Sequence, residues 1–466
     1  MAGLFGISVD PTVYAGKNFG SDLFVGTFYQ QHLGEQFAGL SSIGKQGIVV
    51  RTRRGLLRAN FGGDMNRFSG TEAIGCCGCA PQPFRFEGRL GIMSLAMTGN
   101  VLNYAELKAE LNAQLERGDE IEVVAKLIVQ KCTIIEGLRY AAQKIKGAVT
   151  LLLLTEAGLY CFYGPDGRWP LMLAKKDGAV AVASESSSFN NNGFTYFADL
   201  NPGDIVLLKN GGISRSKEMP CEPRICSFLW VYTNYVASST NGIPSSRVRM
   251  RLGAALAERD IEKGFIPHVV IPIPDSGRFH ALGYHWEFVK ALMQGTIDRA
   301  PMYFEPLVKY PYAGRSFTPQ TQAERDQEAL MKILPIGETI EGFVQEYFDG
   351  LLELFGLSSP EDLDLVTLDD SIVRATQFLC NLIPKLRSIG FRRIHARVSN
   401  PELLSQCPWG KTTRKGELIA LQIPNVVARA EHIGLTSLVY NTIPELVKAI
   451  GLPASKLCLD CSRVEA

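Results

Sequence analysis

The sequence predicts an α/β protein of two domains, the second built on a mainly parallel sheet. Three observations carry this. A chain of 466 residues exceeds what one ordinary core accommodates. Up to about residue 215, short apolar runs alternate with glycine and polar residues, a β-rich pattern with few helices. Beyond that point strand and helix patterns alternate, which argues for parallel strands with sites at their carboxyl ends.

In the first half, Gly3–Ile7, Gly47–Val50 and Val149–Leu154 read as buried strands. Tyr104–Glu116 reads as a helix, because Leu107, Leu111 and Leu115 recur at every fourth position. Asn103 and Glu106 suggest a capping box at its start, and Gly118 a stop. Asn201-Pro-Gly-Asp204 and Asn210-Gly-Gly212 are turn signals. In the second half, a helix near Arg247–Lys263 leads into the strand Val269–Ile273, a turn at Pro274–Gly277 and another helix. A second strand, Leu365–Leu368, ends in Asp369 and Asp370 and precedes a helix rich in Leu and Ile. Residues 336–358 have the pattern of an extra amphipathic helix suited to packing or an oligomer contact.

Composition narrows the function classes. A formal charge of +1, with 46% hydrophobic and 20% charged residues, provides no field that would draw the chain to nucleic acid or a membrane. No basic segment precedes an apolar run at the N-terminus, and no apolar stretch reaches spanning length, so a cytoplasmic location is expected. Eleven cysteines in a chain of this size read as metal ligands or core thiols before disulfides.

The most informative segment is Val366-Thr-Leu-Asp-Asp-Ser-Ile-Val-Arg-Ala-Thr376. A strand ending in two carboxylates can grip ribose hydroxyls directly or through Mg²⁺. The turn after it, opening a helix, offers backbone N–H groups and the Thr376 hydroxyl to a phosphate. The segment resembles the signature of type I phosphoribosyltransferases, which use phosphoribosyl pyrophosphate (PRPP). Val269–Arg278 resembles the pyrophosphate-binding turn of the glutamine PRPP amidotransferase family, and Lys309–Phe317 with Pro319–Gln322 its flexible loop.

That resemblance implies a C-terminal type I phosphoribosyltransferase domain over residues 221–466. It implies PRPP contacts from Asp275, Ser276, Gly277, Asp369, Asp370, Ser371, Arg374, Ala375 and Thr376. Mg²⁺ falls to Ser276, Asp369 and Asp370, and the phosphates to Arg278, Lys309 and Arg315. Those residue types suit the chemistry: pyrophosphate leaves a cation-like sugar, and cations stabilise the departing anion. One departure stands inside the signature. Where the family has Gly-Thr-Thr, this chain has Ala375-Thr376-Gln377.

In the iron–sulfur branch of the same family four cysteines hold a cluster that ties the two domains together. Cys226, Cys407, Cys458 and Cys461 stand at the matching positions. The resemblance therefore implies a [4Fe–4S] cluster; the alternatives are zinc, which a Cys-x-x-Cys pair also suits, and an empty site.

The resemblance extends over residues 1–220, where the family has a class II glutamine amidotransferase domain, an αββα four-layer fold of the N-terminal-nucleophile type. Its chemistry needs a cysteine at the mature N-terminus. Ala2 stands there. Thr98-Gly99 replaces the family's oxyanion-hole Asn-Gly pair, and Leu33 and Tyr163 replace two arginines. A third, the glutamine-binding arginine, has no counterpart in Gly75-Cys-Cys-Gly-Cys79. The Asp that holds the glutamine amine corresponds to Asp119 or Glu120. A single Cys→Ala exchange accounts for Ala2 but not for the rest, so the domain is expected to be a degenerate glutaminase. Cys76, Cys77 and Cys79 read as small side chains filling vacated space or as part of a metal site.

The expectation is a PRPP-dependent transferase of purine metabolism acting on ammonia or another amine without hydrolysing glutamine, working as a homo-oligomer. The rival expectation is a non-catalytic PRPP or nucleotide sensor, or a scaffold partner of a true amidotransferase.

Overall fold

A computed structural model describes residues 2–216, 219–311, 327, 331–335, 349–388, 390–410 and 415–464. Arg315, Pro319–Gln322 and most of the amphipathic stretch 336–358 lie outside these residues. The described end of that stretch, 349–355, is helical, with Leu351 buried and Leu354 exposed.

The first half holds two antiparallel sheets. One has seven strands, in the order Thr195–Asp199, Met172–Lys176, Ala179–Ala183, Ala2–Val9, Glu72–Gly78, Phe37–Gly44 and Gly47–Arg54. The other has six: Gly212–Arg215, Ile205–Lys209, Gly158–Tyr163, Gly147–Thr155, Gly91–Val101 and Phe84–Gly88. The side-chain period of two sorts each strand between layers. Leu4, Leu152 and Leu154 meet between the sheets, while Phe5 and Ile7 face the helix Phe19–Phe28 side. Leu151 and Leu153 pack with Val123, Val124 and Leu138 of the helices Glu120–Ile128 and Ile134–Lys144. The run Leu151–Leu154 is apolar throughout because both its faces are covered, giving four layers.

The predicted helix after Asn103 is shorter than its leucine pattern: it covers Tyr104–Leu111, followed by a 3₁₀ turn at Asn112–Gln114. Its capping box does not form, because Asn103 accepts from Lys146 N at 2.9 Å and donates to Lys144 O at 3.0 Å. The carboxylate of Glu122 takes the N–H groups of Glu116, Arg117 and Gly118, which turns that stretch into a loop. At Asn210-Gly211, both with positive φ, the predicted turn joins the strands Ile205–Lys209 and Gly212–Arg215.

The second half carries a five-stranded, all-parallel sheet: Met302–Tyr303, Val269–Pro272, Asp364–Asp369, Arg393–Val398 and Ser437–Tyr440. In chain order this is 2-1-3-4-5, so the winding direction reverses between Val269–Pro272 and Asp364–Asp369, where open α/β sheets form their ligand crevices. The predicted helices are present as Ser245–Glu262 and Arg278–Met293. Among the described residues no helix is long and apolar enough to cross a membrane.

Candidate active site and thiol cluster

The reversal point gathers the residues singled out from the sequence. Ile273 N donates to Leu368 O at 3.0 Å, so the turn Pro274–Gly277, with a cis peptide between Pro274 and Asp275, emerges directly beside Asp369 and Asp370. Gly277 is held by contact: a Cβ there would lie 2.3 Å from Leu368 O and 2.7 Å from Ile273 O. Its N–H donates to Ile273 O at 2.8 Å, starting the helix at Arg278.

Asp369 and Asp370 are 8% and 5% exposed. Burial, then the neighbouring charge of Asp370, holds the Asp369 carboxyl well above the usual carboxylate range. Asp370 is also raised by burial; hydrogen bonds from Ser371 and Ser276, and the charges of Arg249 and Lys332, act the other way. Ser276 and Ser371 thus both reach the second carboxylate, the Ser371 hydroxyl donating to Asp370 Oδ1 at 2.7 Å.

The cations converge on the turn. Arg278 lies 3.1 Å from Asp275 Oδ1 and 3.0 Å from Glu305 Oε2, and Lys309 Nζ lies 3.9 Å from Asp275 Oδ2. Arg374 instead pairs with Glu417. After the dyad the chain turns through Ala375 in the left-handed region, φ 58°, with the residue 4% exposed. Both amide atoms of Gln377 are buried without a hydrogen-bond partner among the described residues. Thr376 lies in the first turn of the following helical segment.

Sequence reasoning missed Arg249, Lys332 and Glu305. Arg249 had a readable signal: it falls on the buried stripe of its helix with Ser245, Val248, Leu252 and Leu256, where an arginine must be satisfied. It donates to Trp230 O at 3.1 Å and Asn234 O at 2.8 Å. Lys332 precedes the short strand Ile333–Pro335, which only the hairpin with Leu307–Lys309 brings to the site. Glu305 had no pattern to announce it.

The four cysteines of the second predicted site also converge. Cys226 and Cys458 are direct neighbours in a two-stranded parallel ladder, and Leu404 N and Ser405 N, close before Cys407, donate to Cys461 O. Burial raises all four thiols, Cys458 to about 11 and Cys461 to about 12; Cys458, Cys407 and Cys461 each add to the rise at Cys226. Among the described residues no three thiol, imidazole or carboxylate groups surround one point as a single metal ion requires. Four converging thiols are the donor set that a [4Fe–4S] cluster takes.

The first half offers less chemistry. Ala2 is buried, its N donating to Thr98 Oγ1 at 3.1 Å. Gly99 has φ 120°, and a Cβ there would meet Ala148 O at 1.7 Å, so strand pairing accounts for this glycine. Leu33 and Tyr163 are core residues, the Tyr163 hydroxyl donating to Gly167 O at 2.6 Å. Asp119 caps the helix Glu120–Ile128 and pairs with Arg117. Cys76 and Cys77 are buried in strand Glu72–Gly78 and Cys79 is exposed; burial pushes Cys76 to about 12.

Known proteins agree with this geometry. A family model described as a glutamine amidotransferase domain matches residues 77–191. The amidophosphoribosyltransferase of Methanocaldococcus jannaschii is 28% identical over 500 aligned residues, 99% of this chain and 96% of its own. That of Bacillus subtilis is 27% identical over 92% of this chain and 86% of its own. A solved glutamine PRPP amidotransferase from B. subtilis, complexed with ADP and GMP, superposes with a TM-score of 0.81 at 28% identity, over 98% of this chain and 96% of that one. Over nearly its whole length the chain is similar to amidophosphoribosyltransferases. A second family structure, the allosteric regulatory enzyme of purine biosynthesis, also gives a TM-score of 0.81, at 26% identity over 98% of this chain and 94% of that one. The family fold, an N-terminal-nucleophile domain followed by a phosphoribosyltransferase domain, is therefore the fold of this chain.

Proposed function

We propose that this protein transfers the phosphoribosyl group of PRPP to ammonia or another amine and does not hydrolyse glutamine. The observation that carries the reading is the contrast at the two sites. The aspartate dyad, Ser276, Arg278 and Lys309 meet at the sheet's reversal point, while the position of the nucleophile holds the methyl group of Ala2. In the reaction the bond from ribose C1 to pyrophosphate breaks, the amine nitrogen bonds to C1, and the amine gives up a proton. Arg278 and Lys309 would balance the charge gathering on pyrophosphate; Asp369 and Asp370 would hold the ribose hydroxyls. Two buried, mutually repelling carboxylates fit Mg²⁺, which characteristically binds one or two carboxylates together with substrate phosphates. The ion would add neutralising charge at the diphosphate.

The thiols of Cys226, Cys407, Cys458 and Cys461 would hold a [4Fe–4S] cluster as a structural clamp. By its family resemblance the protein works in the cytoplasm as a homo-oligomer. The test is pyrophosphate release from PRPP and Mg²⁺ with ammonium, glutamine or a panel of amines. Release is expected with ammonium or one of the other amines, and none above hydrolysis with glutamine. Silence with every acceptor sinks the proposal. A second reading, a non-catalytic PRPP or nucleotide sensor or a scaffold for a true amidotransferase, draws on Ala375 and on the carboxamide of Gln377, buried without a partner among the described residues. Tight PRPP binding without turnover is its signature.

A further inference from the structure

We infer that Arg168, on the loop after strand Gly158–Tyr163 in the first half, is the positioning residue of the four-thiol site and donates a hydrogen bond to sulfur there. The inference rests on the cluster reading above. Arg168 touches each of the three chain segments that bring the cysteines. Its carbonyl accepts the N–H of Cys226 at 3.4 Å. Its guanidinium stacks on Trp409, two residues past Cys407, 3.5 Å from the ring centroid. Its Nη2 lies 3.6 Å from Oδ2 of Asp460, which stands between Cys458 and Cys461. That same carboxylate oxygen accepts from Trp409 Nε1 at 2.9 Å and from the Cys458 thiol at 3.4 Å. Three segments far apart in sequence are thereby keyed to one residue, two of them through its side chain.

The side chain is built in, 9% exposed, and is held from behind by Asp166, 3.9 Å from its Nη1. Arg224 also faces Asp460, but Arg168 is the one that stacks on Trp409 as well. One donor is left over. Arg168 Nε–H is buried with no partner among the described residues, and a buried guanidinium donor without an acceptor is costly. A thiolate or sulfide sulfur would satisfy it. The positive charge suits a site that concentrates thiolates, and hydrogen bonds to sulfur are one of the levers that set a cluster's potential.

The test uses the full chain, purified anaerobically and reconstituted with iron and sulfide, as wild type, Arg168→Met, Arg168→Lys and Asp460→Asn. Iron and labile sulfide per folded chain, the midpoint potential, and the melting temperatures of apo and loaded forms are read. Wild type is expected to hold on the order of four irons. Arg168→Met should lose at least half of that and shift the potential negative. Arg168→Lys should recover part of the potential but not the iron retention, because lysine keeps the charge and loses the planar stack. Asp460→Asn should lower retention as well. If Arg168→Met keeps both iron and potential at wild-type values, the inference is overturned, even where its apo form melts earlier. If wild type itself takes up zinc alone, or no sulfide, the cluster reading fails first and this one with it.

Discussion

Two residues near the aspartate dyad, in different turns, separate packing from chemistry. At Gly277 a methyl group has nowhere to go, since Leu368 O stands 2.3 Å from its position and belongs to the strand that presents the dyad. Gly277→Ala should cost roughly 1–3 kcal/mol through overpacking. It should also weaken PRPP binding tenfold or more, measured by calorimetry with Mg²⁺. Ala375 poses the opposite case. Its left-handed backbone costs about 1 kcal/mol relative to glycine, while its buried methyl contributes about 0.8 kcal/mol. These terms nearly cancel, so Ala375→Gly should leave stability almost unchanged and tighten PRPP binding by roughly threefold or more, by freeing the backbone to approach phosphate. Weaker binding by the variant would show that the methyl group belongs to the cradle. The alanine was legible in the sequence as a departure from the signature. That the turn keeps its left-handed shape despite the side chain was not, because backbone conformation at one residue follows from what packs on both sides of it.

Among elements, the helix Arg278–Met293 shows how a polar residue can serve assembly. His280 is fully buried, its Nε2–H donating to Val231 O at 3.2 Å in the segment that leads out of the first half. Burial lowers its pKa to about 3 from 6.5, so it is neutral in the folded protein. The unfolded chain binds the extra proton first, so the stabilisation is complete above pH 6.5 and lost as pH falls toward 3. At pH 5 the loss should be about 2 kcal/mol. Urea midpoints at pH 7 and pH 5 check it: His280→Gln should flatten the difference seen in wild type, and an equal slope in both proteins would refute it. At this scale the parallel strands, the Asn-Gly turn and the two long helices were legible, since each follows a local period or a turn residue. The end of the helix at Leu111 was not. Glu122, eleven residues on, captures three N–H groups that the leucine pattern assigns to another turn of helix.

For the whole molecule, the question is whether a thiol at position 2 would suffice for the first half to hydrolyse glutamine. Leu33 and Tyr163, at positions where the resemblance places arginines, are now buried in the core rather than lining a polar cleft. Ala2→Cys alone should therefore yield no glutamine-dependent ammonia release, followed by a coupled glutamate assay. Measurable turnover would mean that the site is merely missing its nucleophile. Contacts that join the halves include Arg168 with Trp409 and Asp460, Glu185 with Ser238, and Asn100, whose Nδ2 donates to Pro408 O at 2.5 Å.

By itself the sequence determined the two-part α/β architecture, the dyad at a strand end, and the four cysteines, because periodicity, turn chemistry and signature spacing are local. Only the tertiary structure decided which groups share a site. Asp275, Arg278, Glu305 and Lys309 come together because two loops meet at the sheet's reversal point, and Arg249 and Lys332 are drawn to the dyad by packing. Arg168, from the first half, meets Asp460 and Trp409 beside the thiols. Charge interactions depend on distance in space and on burial, and neither is written in the order of residues along the chain.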